Sequence, residues 1–281
     1  MADAGGSIVG AARGDAVRQS LLSRQIRELE ECFGTELVRR KGRGLVLTDA
    51  GSQLAALGRS QLAALDDFAA TASGRRIRIS FAAPESFYQW VLLPRLASLR
   101  QAEPRATFVI HQEDNAAIAS RVQEGVYDFG IVRQRPERRQ KAIVELGHFD
   151  YVLAAPKSLV RGRNWSLANA LRLLPLALPL AGEMRQAVET FAQKEVVSGL
   201  NVALEFTSYL HASAALRSAS CAAIIPSIAL AELPADRFAT WLLAPLKLNR
   251  APFSLIWNRR NAAVRPTVAT LSEAMKTLLS F

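Results

Sequence analysis

Residues 19–51 read QSLLSRQIRELEECFGTELVRRKGRGLVLTDAG, and this stretch decides the fold class of the N-terminal part of the chain. Apolar side chains recur three or four residues apart at Leu22, Ile26, Leu29 and Phe33, which predicts one apolar face of an α-helix. The residues offered by the opposite, polar face are Gln19, Ser20, Ser23, Arg24 and Arg27. Such a helix suits the major groove of DNA, where arginine binds guanine and glutamine binds adenine through paired hydrogen bonds. Taken alone, the pattern is more often that of an amphipathic surface helix with a solvated face.

A basic turn follows this helix and changes the interpretation. Its basic residues are Arg39, Arg40, Lys41 and Arg43. They surround Gly42 and Gly44 between two apolar segments, a pattern that predicts two short strands joined by a tight turn. A wing of this charge can lie along the phosphates or place an arginine in the minor groove. Helix and hairpin together predict a winged helix-turn-helix that binds DNA.

A long helix is predicted next, from about Asp49 to Ala72, with Thr48 as its N-cap and Ser73 and Gly74 at its end. Its apolar residues include Leu54, Leu57, Leu62, Leu65 and Phe68. Too little chain lies around this stripe to cover it, so we expect it to pack against a copy of itself as in a coiled-coil dimer. Packing onto its own domain is the alternative.

After Gly74 the pattern changes from helical to alternating strands and helices. Five elements follow in β-α-β-α-β order, at 76–83, 90–101, 106–111, 116–124 and 127–132. This order predicts an α/β fold with a largely parallel sheet. A second set of strands is predicted near Tyr151, Leu174, Asn201, Ala222 and Phe253. Two lobes fit this order better than one sheet.

Four motifs occur together in the first 51 residues: Ser7-Ile-Val-Gly-Ala-Ala-Arg13, Gln19-x-x-Leu-Ser-Arg-Gln-Ile-x-x-Leu-Glu30, Leu37-Val-Arg-Arg40 and Gly42-Arg-Gly-x-x-Leu-Thr-x-Ala-Gly51. Together they resemble the LysR-type transcriptional regulators, and the remainder of the chain follows that family's effector domain in order and length. By this similarity Gln19, Ser20, Ser23 and Arg24 occupy the base-reading positions, and Arg43 occupies the wing position.

Two positions depart from the family pattern. In the family a full helix precedes the segment equivalent to Ser7, whereas here only Met1 to Gly6 precede it. We therefore expect a DNA-binding domain whose first helix is missing. Either the true start lies upstream, or the domain is truncated and binds DNA poorly. Ser20 stands where the family commonly has proline, and serine serves equally well as a helix cap.

The resemblance implies a two-lobed α/β effector domain like that of the bacterial periplasmic solute-binding proteins. The chain is expected to cross to the second lobe near Ala154 and to return near Pro252. The predicted domains are a partial winged helix-turn-helix at 1–48, a linker and dimerisation helix at 49–74, and an effector-binding domain at 75–281. Its first lobe comprises 75–153 and 252–281, and its second lobe 154–251.

Ligands of such lobes bind at the carboxyl ends of strands and face helix N-termini, which favour anions. This rule selects Pro84, Ser86, Arg133, Thr207 and Ser208 as effector-binding residues. Hydroxyls with one arginine suit a small carboxylate. The alternatives are helix caps for the serines and the threonine, and a surface charge for Arg133. Glu85, beside Ser86, argues against an anion at that position.

Charge and hydropathy limit the classes of partner. The net charge of +10 and the pI near 10.3 favour binding to a polyanion. A membrane surface is the alternative partner for such a charge. Basic residues also cluster at 133–141 and 259–260, outside the predicted DNA-binding domain, so the net charge supports DNA binding only weakly. The sequence has no apolar stretch of about eighteen residues and no hydrophobic signal core near its start, so we expect a cytoplasmic protein without a membrane partner.

The sequence offers no pattern for catalysis or for a metal site. Cys32 and Cys221 are too few for a disulfide framework or a zinc site, and Cys32 is expected to pack in the core. His111, His148 and His211 are scattered without metal-ligand spacing. No glycine-rich phosphate loop follows a strand. We therefore expect no enzyme activity, no metal and no cofactor.

Together these patterns predict a LysR-type regulator that binds double-stranded DNA through residues 19–27 and 39–43. Self-association through the Asp49 to Ala72 helix is expected to give a dimer or, by family resemblance, a tetramer. A small-molecule effector would then change the spacing of the DNA-binding domains. The alternative is a truncated protein that senses a metabolite and dimerises but does not hold DNA effectively.

Overall fold

The computed structural model of the protein describes residues 12–41, 44–133, 141–160, 165–195, 199–246, 248 and 252–281. The predicted absence of a helix before Ser7 and the wing residue Arg43 concern positions outside these ranges. The first elements are α1 (Ala16–Phe33), β1 (Val38–Lys41), β2 (Gly44–Leu47) and α2 (Asp49–Ala72). The two strands pair antiparallel, with Arg39 opposite Val46 and Arg40 opposite Leu45, so the predicted hairpin is confirmed.

Helix α1 begins earlier than the polar segment that predicted it. The Asp15 carboxylate caps it by accepting hydrogen bonds from the backbone N–H groups of Val17 and Arg18, at 2.8 and 3.1 Å. Ser20 therefore lies inside the helix, and its expected role as the cap is wrong, because Asp15 already serves the first turn. At the other end, Glu30 Oε1 accepts from the N–H of Leu37 at 2.8 Å and ties α1 to the hairpin.

Helix α2 follows the prediction at both ends. Thr48 Oγ1 accepts from the N–H of Gly51 at 3.0 Å and donates to the Glu36 carbonyl at 2.7 Å. Gly51 is required here, because a Cβ at this position would lie 2.0 Å from the Leu37 carbonyl oxygen. The helix ends at Ser73 and Gly74, whose φ of 67° is in the left-handed region.

The rest of the chain forms two five-stranded sheets with helices around them. The strands are β3 (Ile77–Ala83), β4 (Ala106–Gln112), β5 (Phe129–Val132), β6 (Lys141–Gly147), β7 (Tyr151–Pro156), β8 (Leu176–Pro179), β9 (Val202–Phe206), β10 (Ala222–Pro226), β11 (Phe238–Leu242) and β12 (Phe253–Asn258). The α-helices are α3 (Glu85–Phe87), α4 (Leu96–Ala102), α5 (Asn115–Gln123), α6 (Leu167–Leu173), α7 (Glu183–Lys194), α8 (Tyr209–Arg217), α9 (Arg259–Val264) and α10 (Pro266–Leu278). Between α3 and α4 run a π turn at Tyr88–Leu92 and a 3-10 turn at Leu93–Arg95, because Pro94 cannot donate the hydrogen bond of a regular helix.

The first lobe is built on the sheet β4-β3-β5-β12-β6, and the second lobe on the sheet β11-β7-β10-β8-β9. Each sheet has two parallel and two antiparallel pairings, so the sheets are mixed and not largely parallel. The antiparallel pairings involve β6, β7, β11 and β12, the strands that flank the two crossings of the chain between the lobes. The chain enters the second sheet at Tyr151, slightly before the predicted crossing near Ala154, and returns at Phe253.

Helix α2 is joined to the first lobe by a buried polar network, named here the Arg265 cluster. Its members are Ser60, Asp67, Ser80, Asp128, Asn261 and Arg265. The Arg265 guanidinium, whose side chain is 4% exposed, forms ion pairs with Asp67 of α2 and with Asp128 of the first lobe. Asp128 also accepts from Ser80 N at 2.8 Å and from Asn261 Nδ2 at 2.9 Å, so the buried carboxylate is well satisfied.

The opposite face of α2 is apolar and exposed. Its large side chains are Leu57, Leu62, Leu65 and Phe68, with Phe68 71% exposed. The helix therefore contacts the first lobe through the face that carries Ser60 and Asp67. The apolar stripe stays open, so the alternative interpretation, in which this stripe packs onto its own domain, is not what the structure shows. Within the described ranges, no helix has both the length and the hydropathy that crossing a bilayer requires.

Candidate functional site

The first candidate surface is the polar face of α1 together with the basic hairpin. Gln19, Ser20, Arg24 and Arg27 are exposed, and Ser23 is half-buried. The Ser23 hydroxyl donates to the Gln19 carbonyl at 2.9 Å, and Arg24 pairs with Glu28 at 3.2 Å. This ion pair is exposed and therefore weak, so a base edge can replace Glu28 as the partner of Arg24.

The hairpin adds an exposed run of positive charge on β1. Arg39, Arg40 and Lys41 are all exposed. Because side chains alternate along a strand, Arg39 and Lys41 lie on one face of the hairpin and Arg40 lies on the other. The positive charge therefore extends around both faces, which suits contacts to phosphates.

Helix α1 has no buried residue within the described part of the chain. Leu29 and Phe33 of its apolar stripe are exposed, and Cys32 is exposed as well. The expectation that Cys32 packs in a core is therefore wrong, because the described elements do not cover this side of the helix.

The second candidate is a cavity of about 720 Å³ at one edge of the second sheet. Its wall includes the carboxyl ends of β8, β9 and β11 and the amino end of β7. The apolar lining includes Phe149, Val152, Leu180, Phe206 and Leu242. Its size and apolar character are those of a small-molecule site with a few polar groups.

Arg133 lies at the end of β5 in the first lobe and lines the cavity. Its backbone N–H donates to Asn115 Oδ1 at 2.8 Å, and its Nη1 donates to the Tyr151 hydroxyl at 3.3 Å. The guanidinium carbon lies 5.9 Å from the Tyr151 ring centroid and 5.4 Å from that of Phe253. Its Nε is buried without a hydrogen-bond partner in the protein. A buried donor without an acceptor is unfavourable, so an acceptor supplied by a ligand would satisfy it.

Two tyrosines, Tyr151 and Tyr209, add hydroxyls to the cavity wall. The rings of Tyr151 and Tyr209 lie 5.2 Å apart, and burial raises the pKa of both hydroxyls above the ordinary value of 10.0. Both side chains therefore stay protonated near neutral pH and can donate hydrogen bonds to an anion. Thr207 and Ser227 add two more hydroxyls to the lining.

Two carboxylates also line the cavity, Asp150 and Glu183. Glu183 is the first residue of α7, where its charge is favourable at the positive end of the helix, and Gly182 gives that helix no side-chain cap. The cavity is therefore not a uniformly positive site, and it limits how much negative charge a ligand can carry.

The structure brings Arg133 and Thr207 of the predicted effector residues to the cavity, whereas Pro84, Ser86 and Ser208 do not line it. Pro84 precedes α3, and Ser208 is the N-cap of α8. Sequence reasoning missed Tyr151, Tyr209, Asp150 and Glu183. Among the residues that the structure describes, no group of three or more His, Cys, Asp or Glu side chains is placed to hold a metal ion.

Comparison with protein families gives two matches. The LysR substrate binding domain matches residues 72–279, and the bacterial regulatory helix-turn-helix protein, lysR family, matches residues 2–52. Together these matches cover both candidate surfaces.

Curated relatives match part of their length. A probable hydrogen peroxide-inducible genes activator of Mycobacterium avium is 29% identical over 174 residues, which is 60% of this chain and 56% of the relative. The HTH-type transcriptional regulator TdcA of Escherichia coli (strain K12) is 27% identical over 159 residues, which is 54% of this chain and 51% of the relative. The chain thus spans about half the length of these two relatives.

Solved structures share the fold over nearly the whole chain. Full-length LysG from Corynebacterium glutamicum with bound effector Arg has a TM-score of 0.66 at 19% identity, covering 98% of this chain and 93% of that one. Full-length CbnR complexed with its target DNA has a TM-score of 0.52 at 23% identity, covering 98% and 95%. At these identities the likeness concerns the fold.

Proposed function

The chain belongs to the LysR family of transcriptional regulators, and from this premise we propose that it binds an operator in double-stranded DNA under the control of a small-molecule effector. The observation that carries the proposal is the buried, unpartnered Nε of Arg133 at the wall of a cavity of about 720 Å³. The exposed polar face of α1 and the basic hairpin would supply the second function, DNA binding.

For the operator, we propose that Gln19, Ser20, Ser23, Arg24 and Arg27 contact base edges in the major groove. Arg39, Arg40, Lys41 and Arg43 are proposed to contact phosphates or the minor groove. The exposure of the described members of both sets supports this assignment.

For the effector, the cavity chemistry favours a molecule with an apolar body and a carboxylate. The carboxylate would accept from Arg133 Nε and from the hydroxyls of Tyr209 and Ser227. Because Arg133 belongs to the first lobe and the hydroxyls to the second, such a ligand would contact both lobes. It therefore binds one arrangement of the lobes better than others, which is the condition for control at a distance.

For assembly, we propose that the exposed stripe of α2 packs against a second copy of the chain, giving a dimer that can pair into a tetramer. Leu62 and Leu65 are each 64% exposed, and burial of such side chains is favourable by about 25 cal/mol for each Å² of apolar surface. The proposed domains are those expected from the sequence: 1–48, 49–74 and 75–281.

A peroxide response, as in the name of the mycobacterial relative, is not proposed for this chain. Burial raises the pKa of the Cys221 thiol, so little of the reactive thiolate is present at neutral pH. We propose a cytoplasmic regulator without enzyme activity, since the cavity is lined by groups suited to binding an anion. The alternative is a protein that senses its effector and self-associates without holding DNA effectively.

The proposal is tested by measuring binding of the protein to the DNA beside its own gene by fluorescence anisotropy, at about 50 and about 200 mM salt. We expect specific binding that weakens with salt. Arg24→Ala should change the sequence preference, whereas Arg39→Ala should weaken binding to all sequences and reduce the salt slope by about one. Unchanged preference in Arg24→Ala would exclude α1 as the recognition helix. If the full chain binds no DNA yet self-associates, the sensing-only alternative is favoured.

A further inference from the structure

A carboxylate of one lobe contacts a hydroxyl of the other beside the effector cavity. Glu85 is the first residue of α3 in the first lobe, and Ser208 is the N-cap of α8 in the second lobe. The Ser208 hydroxyl donates to Glu85 Oε2 and accepts from the N–H of Leu210 at 3.2 Å. The contact therefore links the lobes directly at the start of α8.

The Glu85 carboxylate lies at a position that would also be favourable for an anionic group of a ligand. The N-terminus of α8 is the positive end of a helix and favours a negative charge. Thr207 and Tyr209, the neighbours of Ser208 in the chain, both line the cavity. The anion position next to the cavity wall, between the lobes, is thus already occupied by a group of the protein.

A second contact of the same kind holds the segment that carries Glu85. Gln89 Nε2 and Trp90 Nε1 of the first lobe donate to Glu232 Oε1 of the second lobe, at 3.1 and 3.0 Å. Trp90 is buried, so the segment 85–90 is fixed against the second lobe at two points. Glu85 is therefore held in position before any ligand arrives.

We infer that Glu85 is a specificity-determining residue of the effector cavity, because its carboxylate takes the anion position at α8 and leaves Arg133 as the partner for one anionic group. The inference rests on the proposed effector function of the cavity. A ligand with one carboxylate and an apolar body is accepted, and a second carboxylate directed toward Thr207 is repelled by Glu85.

The test compares two probes that share their rings and differ by one carboxylate, naphthalene-2-carboxylate and naphthalene-2,6-dicarboxylate. Binding to the full chain is measured by calorimetry. In the unaltered protein we expect the monocarboxylate to bind about tenfold more tightly than the dicarboxylate. Glu85→Gln should reduce this ratio by about tenfold, with little change for the monocarboxylate, because only the charge is removed.

Three variants separate the possible outcomes. Glu273→Gln removes an equally negative but exposed charge from α10 and should leave the ratio unchanged. Ser208→Ala breaks the contact but keeps the Glu85 carboxylate, so discrimination against the dicarboxylate should persist. Arg133→Met should weaken binding of both probes by about tenfold or more. Circular dichroism verifies that each variant is folded.

The two proposals fail in different ways. If the monocarboxylate does not bind, or binds Arg133→Met as tightly as the unaltered protein, the effector cavity itself is refuted, and the role of Glu85 with it. If binding depends on Arg133 but Glu85→Gln keeps the original ratio, the effector cavity stands and the role of Glu85 is refuted.

Discussion

At the scale of single residues, the cavity depends on side chains whose polar atoms are held away from water. Arg133 keeps one N–H without a partner, and Tyr151 and Tyr209 keep their protons because burial disfavours the phenolate. These groups can bind an anion without changing their own charge. The same burial makes the stability of the fold depend on pH at the alkaline end.

The tyrosine pair predicts an alkaline loss of stability that Tyr209→Phe should reduce. The pKa of Tyr209 is raised in the folded chain, so below about pH 10 both states keep the proton and stability is unaffected. Above that pH the unfolded chain loses the proton first, and the free energy of unfolding falls by up to about 1.4 kcal/mol per pH unit for each such group.

The measurement is urea unfolding between about pH 8 and about pH 11, a range set by the ordinary tyrosine pKa. Tyr209→Phe should give a shallower decline than the unaltered chain. Phe206→Leu, at a neighbouring ring without an ionisable group, should keep the original slope. Equal slopes in Tyr209→Phe and the unaltered chain would show that Tyr209 titrates normally.

At the scale of elements, the junction between the hairpin and α2 is set by a close approach of backbones. Gly51 allows the helix to pass against Leu37, where any Cβ would lie 2.0 Å from the carbonyl oxygen. Thr48 bridges the same two segments through its hydroxyl. The orientation of the basic hairpin relative to α2 therefore depends on one residue without a side chain.

Two glycines of α2 should consequently respond in opposite directions to the same change. Gly51→Ala should destabilise the fold by about 1–3 kcal/mol, because the backbone at Leu37 must move. Gly58→Ala, at a position where an added Cβ meets nothing within 4 Å, should stabilise it by about 0.5–1 kcal/mol. Urea unfolding of both variants provides the comparison, and a stabilising Gly51→Ala would contradict the close approach.

The bounds of α2 could be predicted because the cap, the apolar spacing and the terminal glycine all agree. The start of α1 could not be predicted, because its N-cap, Asp15, lies before the residues from which the helix was inferred. Strands β6 and β11 were missed, since they are short or edge strands without clear alternation. Without β11, sequence reasoning could not bring Leu242 to the cavity.

Only part of the cavity lining was predicted, and the reason is topological. Arg133 and Thr207 follow the carboxyl ends of strands, where the rule for parallel sheets places ligands. Tyr151 begins β7, which runs antiparallel to β10, so its amino end lies opposite Pro226 at the same edge. The direction of a strand in a mixed sheet is not visible in local sequence, and this side of the site was therefore missed.

At the scale of the whole molecule, the Arg265 cluster joins α2 to the first lobe. Arg265 joins Asp67 of the helix to Asp128 of the lobe, and Asn261 extends the network to Ser60. Any change in the relation of the two lobes therefore moves the second lobe relative to α2. Helix α1 and the basic hairpin, which are attached to α2, follow the first lobe.

Arg265→Met should accordingly be among the most damaging single changes in the chain. It leaves the buried Asp128 and the partly buried Asp67 without their cation, which costs about 3–5 kcal/mol of unfolding free energy. Arg24→Met, which breaks an exposed pair with Glu28, should change stability by less than about 1 kcal/mol. Chemical denaturation of the full chain measures both, and similar small losses would mean that the cluster does not hold the helix.

The same cluster sets an order of events during synthesis. Asp67 and Arg265 are 198 residues apart, so α2 leaves the ribosome about 10 to 40 s before its anchor exists at usual elongation rates. A nascent chain that stops short of Arg265 lacks the ion pairs that join α2 to the first lobe. Only a chain translated past Arg265 can fix α2 against the first lobe, so the basic hairpin and the first lobe acquire their mutual orientation late in synthesis.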